Sequence, residues 1–135
     1  MKKITFLVLL SIFSICLISC GSKAIEISDV NEFEELFSGA IKYDIRSEKE
    51  CEEGHIPGFM CMGENDLDTI IKNIDLVSLN KEQKIILIGN KEDVLYVFRG
   101  LNKLKHKNMY YFQGSYQEYA SKKGDSFKPE TGCGC

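Results

Sequence analysis

The run Lys84-Ile85-Ile86-Leu87-Ile88 constrains the fold of this chain more than any other stretch. After its leading lysine it has no polar alternation, so as a strand it has no face to give to water and belongs inside a sheet. The short polar segment Gly89-Asn90-Lys91-Glu92-Asp93 follows, and a helical pattern starts at once. Val94, Val97, Phe98, Leu101 and Leu104 share one face of that helix, and basic residues occupy its last turn, where the macrodipole favours them. A buried strand running straight into an amphipathic helix is a unit of an open α/β sheet, and ligands and nucleophiles usually sit at the carboxyl end of such strands. The segment itself contains no obvious nucleophile.

The rest of the chain keeps the alternation. Ser28 or Asp29 can cap a helix, with Glu32 as capping-box partner of Asp29; Val30, Phe33, Leu36 and Phe37 fall at helical spacing and Gly39 can end the element. Ala40 to Ile45 reads as a short buried strand. A charged helical turn between Ser47 and Glu53 leads to Gly54-His55-Ile56-Pro57-Gly58, where proline and glycine stop a continuous helix and supply the angles of a sharp turn. Leu67, Ile70, Ile71 and Ile74 form another apolar helix face behind Asn65 or Asp66 as cap. Asn108 to Phe112 is a last short strand and Gly114 to Gly124 a terminal helix. The fold class is α/β, with a mainly parallel central sheet flanked by helices. After Gly124 the segment Asp125 to Cys135 has no apolar periodicity and is expected to be exposed.

The amino terminus has another character. Lys2 and Lys3 precede an apolar run from Ile4 to Ile18, of a length for a secretory leader and short for a membrane span. Leu17-Ile18-Ser19-Cys20 resembles a bacterial lipobox, which implies that residues 1–19 are removed and that Cys20 becomes an acylated amino terminus. The alternatives are a leader cut elsewhere and an uncleaved anchor. Acyl chains on Cys20 would make membrane lipid a partner and hold the protein on the extracytoplasmic side of a bacterial envelope, with residues 20–24 as a short tether. Loss of Lys2 and Lys3 makes the formal net charge of −3 more negative, and no basic cluster offsets it, so nucleic acid is not expected as a partner.

Over residues 25–124 the motifs resemble the rhodanese-like family of sulfurtransferase domains. The resemblance is carried by Asp44-Ile45-Arg46 at a strand end, by the short acidic helix and Gly-His-Ile-Pro-Gly turn that follow, and by Gly114-Ser115-Tyr116-Gln117-Glu118-Tyr119 in place of a Gly-Gly-x-x-x-Trp ending. It implies a three-layer domain, and it places Gly89 where sulfur-transferring members carry their nucleophilic cysteine. Glu92 and Asp93 would oppose an anionic sulfur donor, leaving Lys91 alone to favour one. The expectation is a domain without the family's usual catalysis, a binding or scaffold module for an unknown protein or small molecule, with no cofactor. In the motif itself, Arg46 is placed to reach carboxylates such as Glu50, while Gly54, Pro57 and Gly58 shape the turn and His55 hydrogen-bonds loop backbone.

Of six cysteines, Cys16 lies in the leader and Cys20 in the lipobox; Cys51, Cys61, Cys133 and Cys135 remain as candidates for redox or disulfide chemistry, and spacing does not choose their pairing. Cys51 and Cys61 also read as small core residues, with Met60 and Met62 on the strand face opposite Cys61. Cys133 and Cys135 could pair with each other, staple the tail to Cys51 or Cys61, act as a redox pair or sulfur relay, or bind copper(I) or zinc with Met60, Met62 or His55. Two thiols do not complete a metal site, and none is assigned.

Overall fold

The structure, a computed structural model, describes residues 23–63 and 66–132. The leader, Cys20 and its tether up to residue 22, Asn65, Cys133 and Cys135 lie outside the described residues. In chain order the elements are β1 (Ile25–Ile27), α1 (Val30–Glu35), β2 (Ile41–Asp44), α2 (Glu48–Glu53), β3 (Met60–Cys61), α3 (Leu67–Val77), β4 (Ile85–Ile88), α4 (Lys91–Lys103), β5 (Met109–Phe112) and α5 (Ser115–Lys123), closed by a 3-10 turn at Gly124–Ser126.

All strand pairs are parallel, in the order β1-β5-β4-β2-β3. The apolar run becomes the middle strand, and each of its four residues is fully enclosed. Its side chains alternate between the two faces of the sheet, so one strand serves two cores. Ile85 and Leu87 meet Ile70, Ile71 and Ile74 of α3 and Val94, Val97, Phe98 and Leu101 of α4. Ile86 and Ile88 meet an aromatic core on the opposite face, built from Phe33, Phe59, Phe112 and Tyr119. Phe33 lies 5.1 Å from Phe37 and 5.0 Å from Phe112 between ring centroids, while the hydroxyl of the buried Tyr119 is satisfied by donating to Glu34 Oε1 at 2.6 Å. The result is a helix–sheet–helix sandwich.

Local chemistry fixes the helix starts. Asp29 accepts from Glu32 N at 2.8 Å, Asp66 from Asp68 N, and Asn90 from Glu92 N. Ser47 and Glu50 form a complete capping box on α2.

The structure departs from the sequence reading in three ways. Residues 25–27 form an edge strand, registered Ile25↔Tyr110 to Ile27↔Phe112, which the sequence reading did not include. Leu104 is the C-cap of α4 and stays 39 % exposed, because the helix turns away there before its apolar face can close. The segment after Gly124 is exposed by area but docked along the domain. Phe127 packs on Tyr116 and Tyr119, Glu130 forms an isolated antiparallel bridge with His55 (N to O 2.9 and 3.0 Å), and Gly132 N donates to Glu52 O at 2.8 Å.

Candidate functional site

A cleft of about 450 Å³ opens at the carboxyl ends of β2 and β4, where an open parallel sheet gathers its loops. Its walls come from Ile45, Arg46, Ser47 and Glu50 after β2, Asn90 and Asp93 after β4, and Ser115 and Gln117 after β5.

The β4–α4 junction is short. Only Gly89 and Asn90 separate Ile88 from the first residue of α4, and Asn90 is already the cap. A Cβ at Gly89 would lie 2.6 Å from Ile45 Cγ1 and 3.4 Å from Val94 Cγ2, so the space where a side chain would stand is already filled. Lys91, expected to favour an anion here, instead pairs at 3.0 Å with Oε2 of Glu26, the middle residue of β1. The hydrogen bond that Lys91 donates to Glu26 raises the Lys91 pKa. The acidic residues behave otherwise: Asp93 lines the cleft, as does Glu50, whose carboxyl is held below its ordinary range chiefly by the Ser47 hydrogen bond.

Arg46 corrects a second expectation. Its guanidinium grips Asp44 rather than Glu50, with Nε 3.0 Å from both carboxylate oxygens and a terminal nitrogen 2.6 Å from Oδ2. The same terminal nitrogen donates to Gly54 O at 2.6 Å, and the group stacks 3.9 Å from the Tyr116 ring centroid. Glu50 is taken by the capping box, with its Oε2 2.7 Å from Ser47 Oγ. Asp44 is fully buried and the Arg46 side chain 8 % exposed, so this bidentate pair fastens the end of β2 to the turn after α2.

Ser115 opens α5 at φ +60°, a left-handed conformation uncommon outside glycine, and it follows Gly114 at φ +76°. Its Oγ is buried against the cleft and has no hydrogen-bond partner among the described residues.

Behind Arg46 lies a second cluster. Cys51 and Cys61 form a disulfide with each other, so neither is joined to the tail. His55, 1 % exposed, has Nδ1 2.9 Å from Cys51 O and 3.6 Å from Cys61 Sγ, while its Nε2 lies 3.5 Å from Glu130 Oε2. Gly58, at φ +86°, donates its N–H to the same Glu130 oxygen at 3.2 Å. Cys51, His55 and Cys61 are the only described grouping with metal-donor spacing, their donor atoms lying within 4.8 Å of one another, but the two sulfurs are spent on each other. Thus Asp44, Arg46, Gly54, His55 and Gly58 are linked by hydrogen bonds into the region of Cys51 and Cys61, Pro57 lies in the turn between them, and of residues 89–93 only Asn90 and Asp93 line the cleft. Ile45, Ser115 and Glu130 are the site residues the sequence reading missed. Glu130 carried no signal there, since it reaches His55 only through the docked tail.

A family model described as the rhodanese-like domain matches residues 23–122. Among solved structures, a crystal structure of the Alr3790 protein from Anabaena sp. is similar with a TM-score of 0.62 at 18 % identity, covering 77 % of this chain and 81 % of that one. The solution structure of that protein's rhodanese-like domain gives 0.58 at 16 % identity (75 % and 75 % covered), and a crystal structure of its Rhodanese_3 like domain gives 0.56 at 18 % (69 % and 93 %). No curated protein matches. Identities this low establish a shared fold and leave the chemistry to the residues present.

Proposed function

The chain belongs to the rhodanese-like domain family, and from that premise we propose that it is a lipid-anchored module of a bacterial envelope that binds a protein or small-molecule partner and does not transfer sulfur at the family's usual position. The observation that carries this reading is Gly89, whose side-chain space is occupied by Ile45. A sulfur-transferring thiolate needs positive potential around it to stay ionised and to draw in an anionic donor. Here the helix begins two residues after β4, Lys91 is tied to Glu26, and Asp93 and Glu50 face the cleft. The anchor rests on the lipobox-like Leu17-Ile18-Ser19-Cys20, and no described helix is long and apolar enough to cross a membrane.

The test uses the full chain purified in detergent, incubated with thiosulfate and then cyanide. Thiocyanate stays at the protein-free level, and intact mass shows no added sulfur; persulfide formation with cyanide-dependent turnover overturns the proposal. The anchor is checked by palmitate labelling, which Cys20→Ser abolishes.

A second reading, thiol redox or sulfur relay through Cys133 and Cys135, is favoured by one observation: Glu130 and Gly132 are bonded to His55 and Glu52, so the chain leading to Cys133 runs beside the helix that carries Cys51. On that reading, replacing both Cys133 and Cys135 by Ser abolishes thiol–disulfide exchange and leaves the fold intact.

A further inference from the structure

We infer that the Cys51–Cys61 disulfide is a redox-active pair in its own right, with Cys61 as the sulfur that exchanges with an incoming dithiol, Cys51 as the resolving sulfur, and His55 backed by Glu130 as the proton-handling group beside them. The proposal goes beyond the binding reading and does not depend on Cys133 or Cys135.

The two sulfurs are unequal. Cys51 is fully buried inside α2, whereas Cys61 is partly exposed on β3, a two-residue strand at the sheet edge that pairs only with β2. Cys51 is therefore closed to an approaching thiolate, and Cys61 is the residue of the pair that reaches the surface.

The histidine is held in a telling orientation. Cys51 O can only accept, so the 2.9 Å contact assigns the Nδ1 proton. Nε2 then faces the Glu130 carboxylate at 3.5 Å, and this buried atom has no other hydrogen-bond partner among the described residues. In the neutral ring a lone pair would oppose that carboxylate; in the imidazolium form both nitrogens carry protons and the pair attracts. The ring's Nδ1 lies 3.6 Å from Cys61 Sγ, so a proton that Glu130 draws onto the ring during exchange stands beside the sulfur that departs as a thiolate.

The exchange balances. One thiolate of the dithiol attacks Cys61 Sγ; the Cys51–Cys61 bond breaks, its electron pair leaves on Cys51 Sγ, and that sulfur takes a proton. The donor's second thiol, losing its proton, attacks the donor sulfur of the mixed disulfide and releases Cys61 as a thiolate beside His55. One dithiol is oxidised to a disulfide and the Cys51–Cys61 pair is reduced to two thiols.

The test is made on the full chain in detergent, in a Cys133→Ser/Cys135→Ser background, so that failure of the tail reading and failure of this one are distinguishable. Dithiothreitol is the dithiol, alkylation traps the products, and peptide mapping reads Cys51 and Cys61. The pair opens while circular dichroism keeps its folded spectrum. With Cys51→Ser, Cys61 forms a mixed disulfide with oxidised glutathione, and with Cys61→Ser, Cys51 does not. Glu130→Gln keeps an oxygen for Gly58 N–H but removes the counter-charge. It slows exchange about tenfold, because the amide no longer draws a proton onto the ring beside Cys61, and leaves the thermal midpoint in place. A pair that opens only when the domain unfolds, equal reactivity of Cys51 and Cys61, or an unchanged rate in Glu130→Gln overturns the proposal.

Discussion

Replacing Gly89 by alanine tests whether Ile45 truly occupies the family's nucleophile position. The new Cβ would stand 2.6 Å from Ile45 Cγ1, about 1 Å inside ordinary carbon–carbon contact, and 3.4 Å from Ile45 Cδ1 and Val94 Cγ2. Ile45 has little room to yield: it is 7 % exposed, its N–H donates to Ile88 O at 2.8 Å, and its β-branch resists a change of χ1. Overpacking of this kind costs roughly 1–3 kcal/mol. A double-mutant cycle isolates the clash. Ile45→Ala deletes Cγ1, so in that background Gly89→Ala loses most of its penalty, giving a coupling of about 1–3 kcal/mol; Ile45→Val keeps a carbon at the Cγ1 position, and its coupling stays within about 0.5 kcal/mol of zero. Urea unfolding of all six proteins gives the free energies. If Gly89→Ala is equally tolerated in every background, Ile45 does not guard the position. Gly89→Cys with Ile45→Ala then has space for a thiol, yet still releases no thiocyanate, because Asp93 and Glu50 remain and Lys91 stays with Glu26.

Three further outcomes are expected. Arg46→Lys leaves the buried Asp44 carboxylate without its bidentate partner and lowers the unfolding free energy by on the order of 3 kcal/mol; a urea-measured loss below about 1 kcal/mol would show that the pair is not a fastening. Ser115→Gly relieves a left-handed serine at φ +60° and stabilises by about 1 kcal/mol in the same assay, while destabilisation would mean that the unpartnered hydroxyl contributes more than the backbone strain. Asp75 is held below its usual pKa, first by its hydrogen bond from Lys81 and then by that from His106, so its contribution is present above the ordinary carboxylate value of 3.8 and is lost as pH falls through the lowered native one. Asp75→Asn therefore flattens the acid side of a urea-midpoint series below about pH 4, and an unchanged acid limb would exclude this carboxylate.

The sequence was most legible where a single physical demand acted on a whole segment. The run Ile85 to Ile88 had to be buried, and Ile70, Ile71 and Ile74 had to share a face, because burial periodicity acts over many residues at once. Asp29 and Asp66 stood among the capping candidates, each beside an alternative, Ser28 or Asn65, while Ser47 was read only as the start of a charged turn. Ile25–Ile27 escaped notice because three residues, two of them exposed, carry too little alternation to separate a strand from a tether. In the site, the poverty of Gly89 was visible but its cause was not, since Ile45 reaches it from a neighbouring strand. Arg46 was assigned to Glu50 on proximity, although the carboxylate of the capping box is committed to its own helix start while Asp44 is buried and needs a cation. The Cys51–Cys61 bond and the Glu130 bridge depend on how a turn and a tail fold back, which no spacing encodes.

The pairing of β1 with β5 sets a timetable. Ile25 to Ile27 find their backbone partners at Tyr110 to Phe112, more than eighty positions later in the chain. A polypeptide made from its amino terminus therefore carries this strand unpaired through almost the whole of its synthesis, and the sheet closes only when the last strand has been delivered. Were residues 1–19 a leader, as proposed above, it would draw on a chain that had not yet locked shut, and the segment following it toward a translocation pore would be the one whose hydrogen bonds are completed last.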